Sequence, residues 1–471
     1  MEVGPVIIGY VILGTLLGAL FCSIPALHIY NVAGIAMIAW LSIRGIIPYY
    51  ALAPFFMSLV VAFAFINTVP MTFFNTADES AGASMLPSTD MVTRGRGKDA
   101  SLLTGLGTLV GVVFLALLYP YFWYMWPYIA RVTGPHLHWV LGLVIIHYLM
   151  SEWPKGAGRG DTPWQKFKEA WRNCFAGLAT FTLAAIFGLI FLTKPILPVE
   201  SSFQNIMPVF IGFFAIPSII QALISNYQPP KQYDNDYISA GWEDFGYGLL
   251  PGFVGGMMAA YLPAVTAGIG AMWAGHVTNH RNIERAEFTD PINEKEHKHL
   301  HTPEMYYRQE RIFLIAGGMI KLLYYVGAFL LLFILTELTP FGTGRGGLTF
   351  ILRPIFTAEK GDFFVMISSI LFSGSLAFIL LIYIVNWMVK ILPKLNLRLI
   401  YIVGLVVVFS IIFFVGGGWL GIGISLITTS IGLIPVFYGC RRSHCMAVLL
   451  VPIALNMAGY GDAVARVFGL I

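Results

Sequence analysis

The sequence predicts an all-α polytopic membrane protein, with about twelve hydrophobic segments in two repeated halves that carry broken or re-entrant helical hairpins. Three observations predict it. The 471 residues are 57% hydrophobic and 11% charged, with mean hydropathy +0.76, whereas soluble domains carry roughly 25% charged residues. Apolar runs recur along the chain, many reaching the roughly 18 residues that cross a hydrocarbon core about 30 Å thick. A glycine–proline pattern also occurs twice at corresponding places. Helices are expected over barrel strands, because these run lengths let each segment satisfy its own backbone polar groups in lipid.

In order, the apolar stretches fall near 5–24, 29–47, 50–70, 101–128, 136–151, 173–193, 206–224, 246–275, 312–338, 362–390, 399–416 and 418–460, the last split at the turn "GCRRSHC". The first, "MEVGPVIIGYVILGTLLGAL", has no basic region ahead of it and reads as an uncleaved helix rather than a signal peptide. Basic loops at 152–172, 390–398 and Arg441-Arg442 are expected in the cytoplasm, and the acidic loop 226–245 outside. The aromatic run "YPYFWYMWPY" (119–128) reads as an interfacial belt. A net charge of +4 spread over several loops, without a basic stripe, excludes a nucleic-acid surface.

The longest hydrophilic segment, 276–311, holds His276, His280, His297, His299 and His301. Metal capture by "EHKHLH" and a solvated loop with helical charge pairs are both open readings. Of the four cysteines, only Cys440 and Cys445, with His444 between them, approach ligand spacing, and no second ligand pair accompanies them. No Gly-x-Ser-x-Gly, no His-Glu-x-x-His and no acid pair suited to hydrolysis appears, and "GRGKD" lacks the earlier glycine of a phosphate-binding loop, so an enzyme is not expected.

The internal repeat carries the functional reading. "GTLLGALFCSIPAL" (14–27) and "GFVGGMMAAYLPAV" (252–265) pair Gly14 with Gly252, Gly18 with Gly256, Pro25 with Pro263 and Ala26 with Ala264. Farther on, "RGRGK" (94–98) has a counterpart in "TGRGG" (343–347), which pairs Arg96 with Arg345. Two repeats are therefore expected, 1–225 and 226–471, the second carrying the polar loop 276–311. A glycine-x3-glycine helix is ordinarily a packing face. Paired interruptions in corresponding halves point instead to a transport site at the repeat interface. A helix broken in mid-membrane exposes backbone N–H groups at the start of its second half, and these favour an anion. On that reading Pro25 and Pro263 lie close together near mid-membrane.

"GTLLGALFCSIPALHIYN" (14–31), "NTADESAGASMLPSTDMVTRGRG" (75–97) and "GCRRSHCMAVLLVPI" (439–453) resemble the TctA family, the large membrane subunits of tripartite tricarboxylate transporters and their archaeal stand-alone relatives. The resemblance implies a multi-pass cell-membrane protein, an inverted-repeat secondary transporter for a small carboxylate-type anion, coupled to an ion gradient of H+ or Na+. Carried over to matching positions, it places Pro25, Ala26, His28 and Asn31 at the first hairpin. Pro263, Ala264 and Thr266 stand at the second, and Asp78, Glu79 and Ser80 in a polar turn after the third apolar run. The family has Pro-Gly where both copies here read Pro-Ala, and a Cβ at that point restricts positive φ and hinders close approach of an anion.

Two cations complete the expected binding set. Lys321 lies inside "RIFLIAGGMIKLLYYVGAFLLLF", and an intramembrane cation marks a functional site by default, with snorkelling or a structural pair as the ordinary alternative. Gly95 and Gly97 flank Arg96, and would let the backbone form a concave group of N–H donors for an anion beside a planar, permanently charged fork. The ordinary alternative is a loop whose charges satisfy one another. Three function classes stand: an organic-anion transporter, a flippase for polyprenyl or lipid phosphates, and a non-transporting subunit of a membrane complex. The expected partners are accordingly the bilayer, a small anion with its coupling ion, and membrane-complex subunits.

Overall fold

The computed structural model describes residues 3–25, 27–42, 47–76, 85–154, 156, 158–193, 202–234, 238, 240–275, 303–334, 349, 352, 356 and 359–471. Ala26, Asp78, Glu79, Ser80, Arg345 and the five histidines of 276–301 lie outside them. The described residues form helices and no strand. Among them, nine helices are long and apolar enough to cross a membrane, or ten when a pair bent by 116° near the end of the chain is taken as one broken span. The protein is a multi-pass, all-helical membrane protein, as its composition requires.

Two compact units result. Met1–Tyr124, Asn226–Tyr261 and Val265–Ile400 form the first; Met125–Ser225, Leu262–Ala264 and Tyr401–Ile471 form the second. Each is assembled from three separate stretches of the chain.

In the first unit, α1 (Val3–Cys22) ends three residues before Pro25, and α2 (Ile29–Ser42) begins after the break. Next come α3 (Tyr49–Ile66) and its continuation α4 (Thr68–Phe73). From Ala51 to Phe73 every residue is buried, so α3 is the central post of the unit. The same sequence of elements recurs farther along. α11 (Trp242–Tyr261) stops just before Pro263, α12 (267–275) resumes after it, and α13 (Pro303–Leu322) runs on through a π turn, Leu323–Gly327.

The repeated glycines have repeated partners. A Cβ on Gly14 would overlap Ser58 Oγ and the Phe55 carbonyl, and one on Gly18 would sit 2.7 Å from the Leu59 carbonyl. In the second copy, a Cβ on Gly252 would lie 3.1 Å from Ala316 Cα, and one on Gly256 2.7 Å from Leu323 Cδ1 and 3.1 Å from Ile320 Cα. One constant register shift carries Phe55, Ser58, Leu59 and Ala62 onto Ala316, Met319, Ile320 and Leu323. Small residues admit close backbone approach where lipid supplies no hydrophobic drive for helices to associate, so α1 beds on α3 as α11 beds on α13.

Further glycines lock α13 into the unit. α6 (Gly97–Thr133) crosses it where Gly107 meets the Ile315 carbonyl and Gly318 meets the Thr104 carbonyl. α12 runs antiparallel to α13, with Gly275 against Phe313 and Gly270 against Ile320. A π turn leaves a carbonyl without its helical donor, and here Tyr119 Oη donates to Gly327 O at 2.8 Å.

The second unit gathers α7 (Leu137–Met150), α8 (Pro163–Thr193), α9 (Ser202–Phe210) and α10 (Ile216–Ile224) joined by a π turn at Ile211–Ala215, and two later helices, Gly418–Tyr438 and Ala447–Met457. Its core joins Phe181, Phe213, Ile424, Cys445 and Val448. Gly188 against the Val448 carbonyl and Gly212 against Thr428 repeat the small-residue contact.

Candidate functional site

In the first unit, the break after α1 and the start of α12 both pack on α13. His28, in the first break, is hydrogen-bonded through Nε2 to Tyr325 Oη at 3.0 Å, and its Nδ1 accepts the Tyr30 N–H at 3.1 Å. The imidazole is walled by Tyr30, Phe63 and Tyr325, with ring centroids 4.7, 5.5 and 5.9 Å away. From the second break, Ala267 opens α12 against the same helix, in a cluster that includes Ile320 and Tyr324. The π turn of α13 carries both tyrosines, and π turns occur frequently at functional sites because they redirect side chains.

Two buried polar groups near these breaks have no hydrogen-bond partner among the described residues: Nδ2 of Asn31, on the first turn of α2, and Oγ1 of Thr266, at the start of α12. Their residues are 5% and 1% exposed, so water does not serve them freely. Unpartnered buried polar atoms carry a cost of about 1–3 kcal/mol each and call for an explanation. The Thr266 carbonyl already caps α12, accepting from Ile269 and Gly270 N–H. Lys321, one turn before Tyr325, is 3% exposed and its Nζ donates to Thr68 Oγ1 at 2.9 Å. Of the expected binding residues, the first unit holds His28, Asn31 and Thr266 near the breaks and Lys321 on α13, with Gly14, Gly18, Gly252 and Gly256 as packing residues. Pro25 is buried in its break, and Pro263 is half-buried in the other.

Ala264 follows Pro263 with φ at +58°. The left-handed region costs an L-residue roughly 1–2 kcal/mol. The backbone therefore keeps the conformation that suits glycine, although the residue is alanine.

The Gly-Arg-Gly turn answers to helix capping. α5 (Met85–Thr93) ends at Gly95, whose φ is +78°. Gly95 N–H donates to Val92 O at 2.9 Å and Arg96 N–H to Met91 O at 2.8 Å, the paired bonds of a Schellman C-cap. Gly97 N–H donates to Gln232 Oε1 at 2.8 Å, and Gly95 O accepts Tyr233 N–H at 2.7 Å. The backbone donors around Arg96 thus face acceptors of the chain itself. Arg96 pairs with Asp99 at 3.2 Å, and Lys98 with Asp234 at 2.6 Å, where the ammonium holds the Asp234 carboxyl below the ordinary range. Arg308 and Arg311 meet Asp244 at 2.8 and 3.3 Å.

In the second unit the turn "GCRRSHC" closes on Glu152. Glu152 Oε1 accepts Arg441 N–H at 3.0 Å and lies 3.4 Å from Nε2 of the buried His444. Burial pushes the Glu152 carboxyl up, but the His444 ring and the Arg441 backbone N–H outweigh it and hold the group below the usual glutamate value. Burial and the Glu152 charge push the Cys440 thiol up to about 11, which disfavours the thiolate a metal requires. Among the described residues no three His, Cys, Asp or Glu side chains group as metal ligands. Arg442 donates to Ser218 and Gln221.

Residues missed in the sequence are Tyr325, Tyr324, Tyr30 and Thr68. The spacing of Lys321 and Tyr325 on one helix face was readable; the approach of His28 to Tyr325 was not, because a long-range contact leaves no local pattern.

Residues 8–447 match a family model described as the tripartite tricarboxylate transporter TctA family. An uncharacterised protein of Methanocaldococcus jannaschii is 32% identical over 112 residues, a match that covers 23% of this chain and 26% of that relative, about a quarter of its length. No solved structure matches the chain.

Proposed function

This chain belongs to the tripartite tricarboxylate transporter TctA family, and from that premise we propose that it is a secondary transporter for a small organic anion of the carboxylate class, driven by an ion gradient. The observation that carries the reading is that His28, from the first break, and Ala267, at the start of α12, both pack against the α13 stretch that carries Tyr324 and Tyr325, with Lys321 one turn away. Lys321 supplies the positive charge for a carboxylate. Asn31 Nδ2 and Thr266 Oγ1 supply neutral donors at the starts of two half-helices, where the exposed N–H groups favour negative charge. Gly14, Gly18, Gly252 and Gly256 hold those half-helices against α3 and α13, and Pro25 and Pro263 open the breaks. The strained Ala264 supports a working hairpin over a degenerate scaffold, since backbone strain persists where surrounding structure enforces it, often at functional sites. The family's tripartite name makes the other components of a membrane transporter complex the partners we propose.

Uptake by proteoliposomes, measured for mono-, di- and tricarboxylates under imposed H+ or Na+ gradients, tests this. Lys321→Gln is expected to abolish accumulation of the transported acid. Wild-type uptake by that variant overturns the assignment.

A further inference from the structure

We infer that Asp90, Arg94 and Glu310 form a proton-binding site, in which one proton is shared between the two carboxyl groups. Only its use in coupling rests on the transport reading above; the site itself rests on the charges and their burial.

Arg94 serves both acids. Its Nη2 lies 2.5 Å from Asp90 Oδ2 and its Nη1 lies 3.6 Å from Glu310 Oε2. The other cations at this end of the first unit hold carboxylates of their own. Arg96 also faces Glu310, but its Nε is engaged by Asp99 at 3.2 Å. Lys98 holds Asp234, Arg311 holds Asp244, and Arg308 holds Asp244 and Glu243. Two carboxylates on one guanidinium leave a surplus negative charge.

The surplus sits out of water. The Glu310 side chain is 8% exposed, and its Oε2 is buried and makes no hydrogen bond among the described residues. The Asp90 carboxyl is held beside it on the same guanidinium. An ionised carboxyl is an acceptor only, so two ionised acids cannot bond to each other; a protonated one gains an O–H donor. A proton on Glu310 therefore removes the surplus charge and creates an O–H bond to Asp90, as carboxyl pairs sharing one proton do. Asp90, with 36% of its side chain exposed, is the route from water. A proton taken from water by Asp90 passes to Glu310, and release reverses the path. A metal ion fits less well, because the guanidinium between the acids repels it.

The placement suits coupling. α13 carries Glu310 near one end and Lys321 and Tyr325 farther along, so loss or gain of the proton acts on the helix that bears the candidate anion site.

Infrared difference spectroscopy of the full-length protein in nanodiscs, recorded as pH is lowered, tests the inference without any substrate. Above about pH 6, where ordinary carboxyls stay ionised, one protonated-carboxyl C=O band is expected in the wild type and lost in Glu310→Gln. In Asp90→Asn the band is expected to need about one pH unit more acid, a tenfold lower proton affinity. Full amplitude in Glu310→Gln, or wild-type titration in Asp90→Asn, overturns the proposal. Asp90 is half-exposed on a helix surface, so its variant decides the matter if Glu310→Gln does not fold. Because no transport is measured, failure of the carboxylate-uptake assay and failure of the proton site are separate results.

Discussion

Ala264 shows at a single residue how a family pattern can be broken in chemistry and kept in geometry. Its φ of +58° is the conformation glycine adopts freely. Replacing it with glycine removes the clash between Cβ and backbone that makes the left-handed region costly, partly offset by the greater freedom of glycine in the unfolded chain. Ala264→Gly is therefore expected to stabilise the protein by about 1 kcal/mol, seen as a higher unfolding temperature in detergent. A lower temperature would mean that the methyl group packs more usefully than its backbone strain costs. Glycines 95 and 97 teach the converse lesson. Their spacing around Arg96 suits an anion nest, yet the same residues complete a Schellman cap and a bond to Gln232. A positive φ at glycine reports a turn, and only the partners of its N–H groups tell which purpose the turn serves.

At the scale of elements, the repeat survives as a packing register more clearly than as a sequence. Gly14 and Gly252 are equivalent in the pattern but not in tightness. A Cβ on Gly14 overlaps a backbone carbonyl and Ser58 Oγ, which itself donates to Phe55 O at 2.8 Å, whereas one on Gly252 finds its nearest neighbour at 3.1 Å. Forcing a methyl group into the first contact displaces α1 from α3, and overpacking of this kind costs roughly 1–3 kcal/mol. Gly14→Ala is expected to lower the unfolding temperature clearly, and Gly252→Ala only slightly, at well under ~1 kcal/mol. Equal losses in the two variants would show that the second copy cannot give by the few tenths of an ångström its neighbours need. The π turn at Leu323–Gly327 belongs to this scale too. It needs the Tyr119 hydroxyl from another helix to accommodate the Gly327 carbonyl, so it is a property of two elements together.

For the whole molecule, orientation in the membrane follows from the loops. The stretch 152–172 is basic and 226–245 acidic, and lysine and arginine concentrate on the cytoplasmic side. Single cysteines engineered into each loop of a cysteine-free chain are expected to label oppositely in intact cells, 226–245 from outside and 152–172 only after permeabilisation. Labelling of the basic loop from outside would reverse the assignment. The acidic loop has structural work as well: Gln232, Tyr233 and Asp234 bind the turn at Gly95–Lys98, which places the proposed proton site near that face of the first unit.

Composition and run length alone determined that this is a polytopic helical membrane protein, because lipid leaves a chain of this hydropathy no other way to satisfy its backbone. Local spacing determined the two breaks, since glycine and proline act on the dihedrals of their own neighbourhood. It also made Lys321 conspicuous, since a cation stands out in an apolar run. What tertiary structure decided is every pairing across the chain: His28 with Tyr325, Arg94 with Glu310, Glu152 with the "GCRRSHC" turn, and the reuse of one packing register by both glycine pairs. These depend on which helices become neighbours. Helices in lipid choose neighbours by the fit of small residues and the satisfaction of buried polar groups, and neither quantity is carried by a stretch of sequence taken on its own.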